Sequence, residues 1–193
     1  MPDHDAVTQP SVNPIATETT APNHAAAEKS NYELAQRMHA LYQRGMSGAN
    51  WFYIVAALSL VNTAIIHLGG NVQFVVGLGV TLITDSVAAH LATQHPESKT
   101  VLLVAAIGFA FVVAAVVAGF GWLARSRRNA FFAIGMVLYL LDGLLFILIQ
   151  DWMCIAFHVY ALFSMWGGFS AFRQLNAIED QLHQPSGKAE TAH

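Results

Sequence analysis

The chain has 193 residues, 55% of them hydrophobic and only 11% charged, with a mean hydropathy of +0.46. A soluble domain carries about 25% charged residues, and here the charges crowd residues 1–50, 94–99, 125–128 and 173–193, the pattern of a multi-span membrane protein with polar ends. A net charge of −3 gives no basic excess for nucleic acid, and the lone cysteine, Cys154, excludes an intramolecular disulfide and a cysteine-based zinc site.

Residues 1–29 are rich in Ala, Thr, Pro and Asn and lack apolar periodicity, so they read as a disordered tail. They also lack the basic region and apolar core of a cleavable signal peptide. Ser30 and Glu33 have capping-box spacing, and Leu34, Met38 and Leu41 fall on one helical face. This predicts an amphipathic lead-in helix over 30–48, in solvent or in the headgroup layer, ended by Gly45 to Gly48.

A transmembrane bundle is predicted over 49–173, as five spans. Span 1 (51–68) opens on Trp51 and Tyr53, an interfacial aromatic anchor, and carries Asn62 inside and His67 near its end, the latter an interfacial histidine. Gly69-Gly70-Asn71 predicts a turn. Span 2 (72–92) carries Asp85 between Thr84 and Ser86, and Pro96 stops it. Span 3 (101–124) has no ionisable or amide side chain. Its Ala106, Ala110, Ala114 and Ala118 recur every four residues, a groove that admits another helix of the same chain, a partner, or a second copy in a homo-oligomer. Arg125, Arg127 and Arg128 make a four-residue loop that is expected to stay in the cytoplasm.

Spans 4 (129–149) and 5 (152–172) form a hairpin broken only by Gln150-Asp151, with Asp151 capping the second helix. Span 4 contains Asp142 and span 5 His158; residues 174–193 are a polar tail. The expected fold class is therefore all-α: five transmembrane helices arranged as hairpin, single helix, hairpin, with an N-terminal amphipathic helix and disordered termini. Five spans put the N-terminal tail outside and the C-terminus inside. Lys29, Arg37 and Arg44 prefer the cytoplasm, and a re-entrant segment at Gly69-Gly70-Asn71 would bring the tail inside too. Asn62 precedes Asn71 by nine positions, as Asp142 precedes Asp151, the kind of echo that an inverted repeat produces.

Depth unites the polar residues. At about 1.5 Å per helical residue, Asn62, Asp85, Asp142 and His158 all fall in one half of the bilayer. Charged groups there cost about 2.5–3.5 kcal/mol on insertion scales and face the bundle interior. These four make an intramembrane polar cluster, with Asp142 and His158 as a direct pair. The expected function is a non-catalytic structural or accessory membrane component whose surroundings are the lipid bilayer, in a bacterial cytoplasmic membrane. The alternative is a small carrier of protons or polar solutes using the Asp/His cluster. A metal-dependent enzyme is a third reading. The chain has no H-x-x-x-H, E-x-x-H or H-E-x-x-H spacing and no nucleotide-binding or nucleophile-elbow motif, so no cofactor and no catalytic residue is assigned, and the question of a metal stays open.

Overall fold

The structure is a computed structural model that describes residues 21–67 and 77–184. Among them the chain is helical and has no strand. Five helices follow in order: α1 (Ala21–His67), α2 (Gly79–Gln94), α3 (Lys99–Arg125), α4 (Asn129–Leu148) and α5 (Trp152–His183), with a 3-10 turn at Pro96–Ser98. Four of them, α1, α3, α4 and α5, are long and apolar enough to cross a membrane. The 20 residues of α4 rise about 30 Å, one hydrocarbon thickness, whereas the 16 of α2 rise about 24 Å. The expected turn at Gly69-Gly70-Asn71, residues 72–76 of span 2 and residues 1–20 and 185–193 of the tails lie outside the described residues.

The chain divides into two compact units, residues 1–37 and 38–193. In the first, α1 begins at Ala21, ahead of the expected cap at Ser30, and Tyr32 is exposed. In the second, α1 runs through Gly45 to Gly48 without the expected break. The reason is packing. A Cβ on Gly45 would strike the Phe172 ring, and one on Gly48 would lie 2.6 Å from the Gly168 Cα. These glycines let α5 approach the backbone of α1, as small residues do between membrane helices, and that contact offsets glycine's cost of about 1 kcal/mol in a helix.

Helix directions follow from these contacts. As α1 advances from Gly45 to Trp51, its partners on α5 recede from Phe172 to Tyr160, so the two are antiparallel. The α4–α5 pair is antiparallel too, closed at Gln150, which adopts a left-handed φ of 55°, and at Asp151. The Asp151 carboxylate accepts from the Met153 and Cys154 N–H groups, which caps α5 as expected. Phe52, Phe132 and Phe172 form an edge-on aromatic core where α1, α4 and α5 meet.

The first two helices do not pair as an antiparallel hairpin. Ser59 meets Thr81 and Thr63 meets Asp85, each at an offset of 22 residues, so α1 and α2 run parallel where they touch. The chain resumes at Gly77 back beside Ser59 and Asn62, rather than at the far end of α1. The two matched hairpins behind the inverted-repeat idea are therefore not both present. The same register puts the start of the bundle portion of α1 at the end where α3 finishes. Arg125 lies over the Tyr53 ring, Arg44 lies over Gly167, and Arg173 lies over Phe169. With Arg127 and Arg128 in the α3–α4 loop, five arginines gather at one end of the bundle.

The alanine stripe of α3 is covered within the chain. Ala106, Ala110 and Ala114 are buried and Ala118 half-buried, with Ile83, Thr84 and Val87 of α2 close to Ala106.

Candidate functional site

The polar residues form two centres, both organised by α2. The first is Asp142. Its Oδ2 accepts from the Gly79 N–H at 2.8 Å and its Oδ1 from the Val80 N–H at 2.9 Å. These are orphan donors at the start of a helix, which no intrahelical carbonyl can satisfy. A carboxylate on α4 thus caps α2, and it also favours the positive end of the helix dipole. Asp142 lies six residues before the end of α4, about 9 Å inside it. Water does not reach backbone groups in hydrocarbon, so a helix that starts at this depth needs a protein acceptor. The glycines at 77 and 79 fit the same event: a Cβ on Gly79 would lie 3.2 Å from the Asp142 carbonyl and 2.9 Å from the Phe146 ring.

His158 completes this centre. Its Nε2 is 3.2 Å from Asp142 Oδ2 and its Nδ1 is 2.9 Å from the Cys154 carbonyl. The carbonyl can only accept, so Nδ1 carries the hydrogen of that bond, and the Nε2 contact shares one proton with the carboxylate. The imidazole is buried between aromatic rings. Tyr139 stacks on it at 4.5 Å and 15°, and Phe146 tilts against it at 4.9 Å.

The second centre is Asp85, six residues further along α2, about 9 Å nearer the α2–α3 end. The Thr63 hydroxyl donates to its Oδ2 at 2.6 Å, and His67 Nε2 lies 3.1 Å from its Oδ1. One turn earlier, the Ser59 hydroxyl meets Thr81 Oγ1 at 2.7 Å, and Thr81 in turn donates to the Leu78 carbonyl. Asn62 is buried between Ser59 and Thr63, and its amide oxygen has no hydrogen-bond partner.

Of the four residues expected to cluster, the structure joins Asp142 to His158 and places Asp85 and Asn62 in a separate strip between α1 and α2. Sequence reasoning missed Ser59, Thr63 and Thr81, and it put His67 at the membrane interface, where the structure buries it against Asp85. A signal was there: Ser59, Thr63 and His67 recur every four residues on span 1, and Thr81 and Asp85 repeat that step 22 residues on. Two matched polar stripes mark two helices that face each other in parallel.

Two openings reach these centres. A groove of about 390 Å³ lies between α3 and α4 below the start of α2; it is lined by Val113, Val117, Phe120 and Leu138, with Tyr139 and Asp142 as its polar members. A second opening of about 570 Å³ at the α2–α3 end is lined by His67, Thr93 and Lys99. At the arginine-rich end, Arg127 adopts a left-handed φ of 60° and bridges the α3–α4 loop to Asn176 and Glu179 of α5. Glu179 lies beyond the apolar stretch, and the Arg127 hydrogen bond holds its carboxyl below the usual glutamate range. Among the described residues, no three His, Cys, Asp or Glu side chains converge as metal ligands. No protein-family model matches the sequence, and neither a characterised protein nor a solved structure matches it.

Proposed function

We propose that this is a small, non-catalytic integral membrane protein, a structural or accessory component of a bacterial cytoplasmic membrane. The observation that carries this reading is the use of Asp142. Both of its oxygens serve the backbone of α2, and Oδ2 also holds His158. A carboxylate so engaged fixes a helix in place, and its removal would release the α2 start. The gathering of Arg44, Arg125, Arg127, Arg128 and Arg173 at one end supports a cytoplasmic assignment for that end, the Arg125–Arg128 loop included.

The experiment compares stability with flux. In purified protein, Asp142→Asn and His158→Gln lower the thermal midpoint. In liposomes, the wild type carries no more proton flux than protein-free vesicles. A proton-coupled flux in the wild type that folded variants lose would overturn the reading in favour of a carrier. The second opening favours that alternative, because it brings a polar-lined space to His67 and through it to Asp85. The carrier reading therefore centres on Asp85, where the structural reading centres on Asp142.

A further inference from the structure

We propose that the polar strip between α1 and α2 binds a dehydrated monovalent cation, with sodium as the best fit. Asp85 supplies the charge, and Ser59, Asn62, Thr63 and Thr81 supply neutral oxygens. This inference goes beyond the accessory reading and holds whether or not the protein transports anything.

Burial comes first. Among the described residues, Tyr139 and Cys154 aside, six polar side chains are buried, and five of them belong to this strip; the sixth is His158. None of the five is more than 4% exposed. Their helical positions keep them together. Residues 59 to 63 span about 6 Å of α1, and the contacts Ser59–Thr81 and Thr63–Asp85 hold the facing turn of α2 at the same level. Gly77 adds the last wall. A Cβ there would lie 3.3 Å from the Ser59 Cα and 3.7 Å from the Asn62 Cβ, so the backbone presses on this face of α1.

The hydrogen-bond balance then shows what the strip lacks. Thr81 donates its hydrogen to the Leu78 carbonyl, so Ser59 donates to Thr81, and Thr63 donates to Asp85. All three hydroxyl hydrogens are engaged, while each hydroxyl oxygen keeps a lone pair. The Asn62 amide oxygen is buried with no donor at all. A buried acceptor without a partner is unfavourable, and natural interiors rarely leave one. The Asn62 oxygen is the acceptor of this strip left without a donor, beside the Asp85 carboxylate on the facing helix, and a cation supplies what that oxygen lacks.

The donor set selects the ion. There is one carboxylate, there are hydroxyl and amide oxygens, and there is no sulfur. Zinc prefers nitrogen and sulfur ligands. Calcium takes six to eight oxygens, several of them usually from carboxylates. One carboxylate with neutral oxygens balances a single positive charge. His67 of α1 is the titratable neighbour of Asp85, and Lys99 of α3 lines the opening that leads to them. A cation on Asp85 and the His67 Nε2 contact compete for the same carboxylate.

The test uses the full chain in detergent, with thermal unfolding followed at constant ionic strength in sodium, potassium or choline chloride. A saturable rise of the midpoint in sodium over choline is expected. Potassium matching sodium also supports a monovalent-cation site and sets its selectivity. Asp85→Asn should abolish the shift. Because that variant also breaks the Thr63 and His67 contacts, Asn62→Ala is the deciding one. It removes an oxygen with no partner, so it should fold as the wild type does in choline and need at least tenfold more sodium for the same shift. A wild-type midpoint that is the same in sodium, potassium and choline overturns the proposal, as does a sodium shift unchanged by Asn62→Ala. A midpoint that follows pH but neither cation overturns it too, and leaves Asp85–His67 as a proton site alone.

Discussion

Replacing Asp142 by Asn tests the central structural claim, that a carboxylate on α4 holds the start of α2. The native side chain has three partners: it accepts from the Gly79 and Val80 N–H groups and shares a proton with His158 Nε2. An asparagine keeps one oxygen, which can accept from one of the two backbone donors. Its amide nitrogen must then face the other N–H, or turn to His158 Nε2. Either way one buried N–H loses its acceptor, at about 1–3 kcal/mol. Loss of the charge weakens the surviving bond further, because charge-assisted bonds are roughly twice as strong as neutral ones. A total near 2–3 kcal/mol follows. At about 2–4 °C per kcal/mol for a chain of this size, the thermal midpoint falls by roughly 5–10 °C. Asp151→Asn is the matched control. It weakens a cap of the same kind at the end of a helix, where water can take over, and costs about 1 kcal/mol or less. The assay is thermal unfolding in mild detergent, with amide exchange of a peptide covering Gly79 and Val80. Faster exchange in Asp142→Asn, with little change in Asp151→Asn, is expected. Equal midpoints and equal exchange in wild type and Asp142→Asn would refute the cap. A loss in Asp151→Asn as large as in Asp142→Asn would refute the depth argument.

In a background with Cys154 replaced by Ala, single cysteines at Gln43 and Ser126 should react with a membrane-impermeant maleimide from the same side, and one at Glu97 from the other. Gln43 labelling with Glu97 would restore the orientation expected from five full spans. Gly168→Ala should destabilise by about 1–3 kcal/mol in detergent unfolding, because its Cβ would lie 2.6 Å from the Gly48 Cα. Gly108→Ala, with nothing within 4 Å, should cause no loss. Arg127→Ala should cost less than about 1 kcal/mol, since its ion pair with Glu179 is roughly a third exposed. The depressed Glu179 carboxyl sets the sign with pH: the pair contributes fully above the unfolded glutamate value, and its contribution is lost as pH falls through the lower folded value. Arg127→Ala should therefore remove part of the acid sensitivity of the wild-type midpoint.

The sequence makes the α4–α5 hairpin legible because its signals are local. Two apolar runs of span length meet at one polar pair, and Asp151 caps the second run as its position predicts. Asp142 facing His158 follows from that hairpin by counting from the turn. The α1–α2 relation is not local. Gly69-Gly70-Asn71 reads as a turn, and a turn between two apolar runs implies antiparallel spans. What places α2 instead is a carboxylate 63 positions further on, which no window of sequence connects to Gly79. The glycines at 77 and 79 mark where the helix starts, yet glycine alone does not tell a late start from a kink. The charge pattern carried the missing constraint. Arg44 and the arginines of 125–128 belong at one end only if an even number of full crossings separates them, and a short α2 parallel to α1 satisfies that condition where five full spans do not. Asp142 and His158 therefore do double duty in the fold. They let a short helix begin inside the bundle, and the parallel register that follows brings Ser59, Asn62 and Thr63 against Thr81 and Asp85. The second polar centre exists because the first one holds the helix that carries half of it.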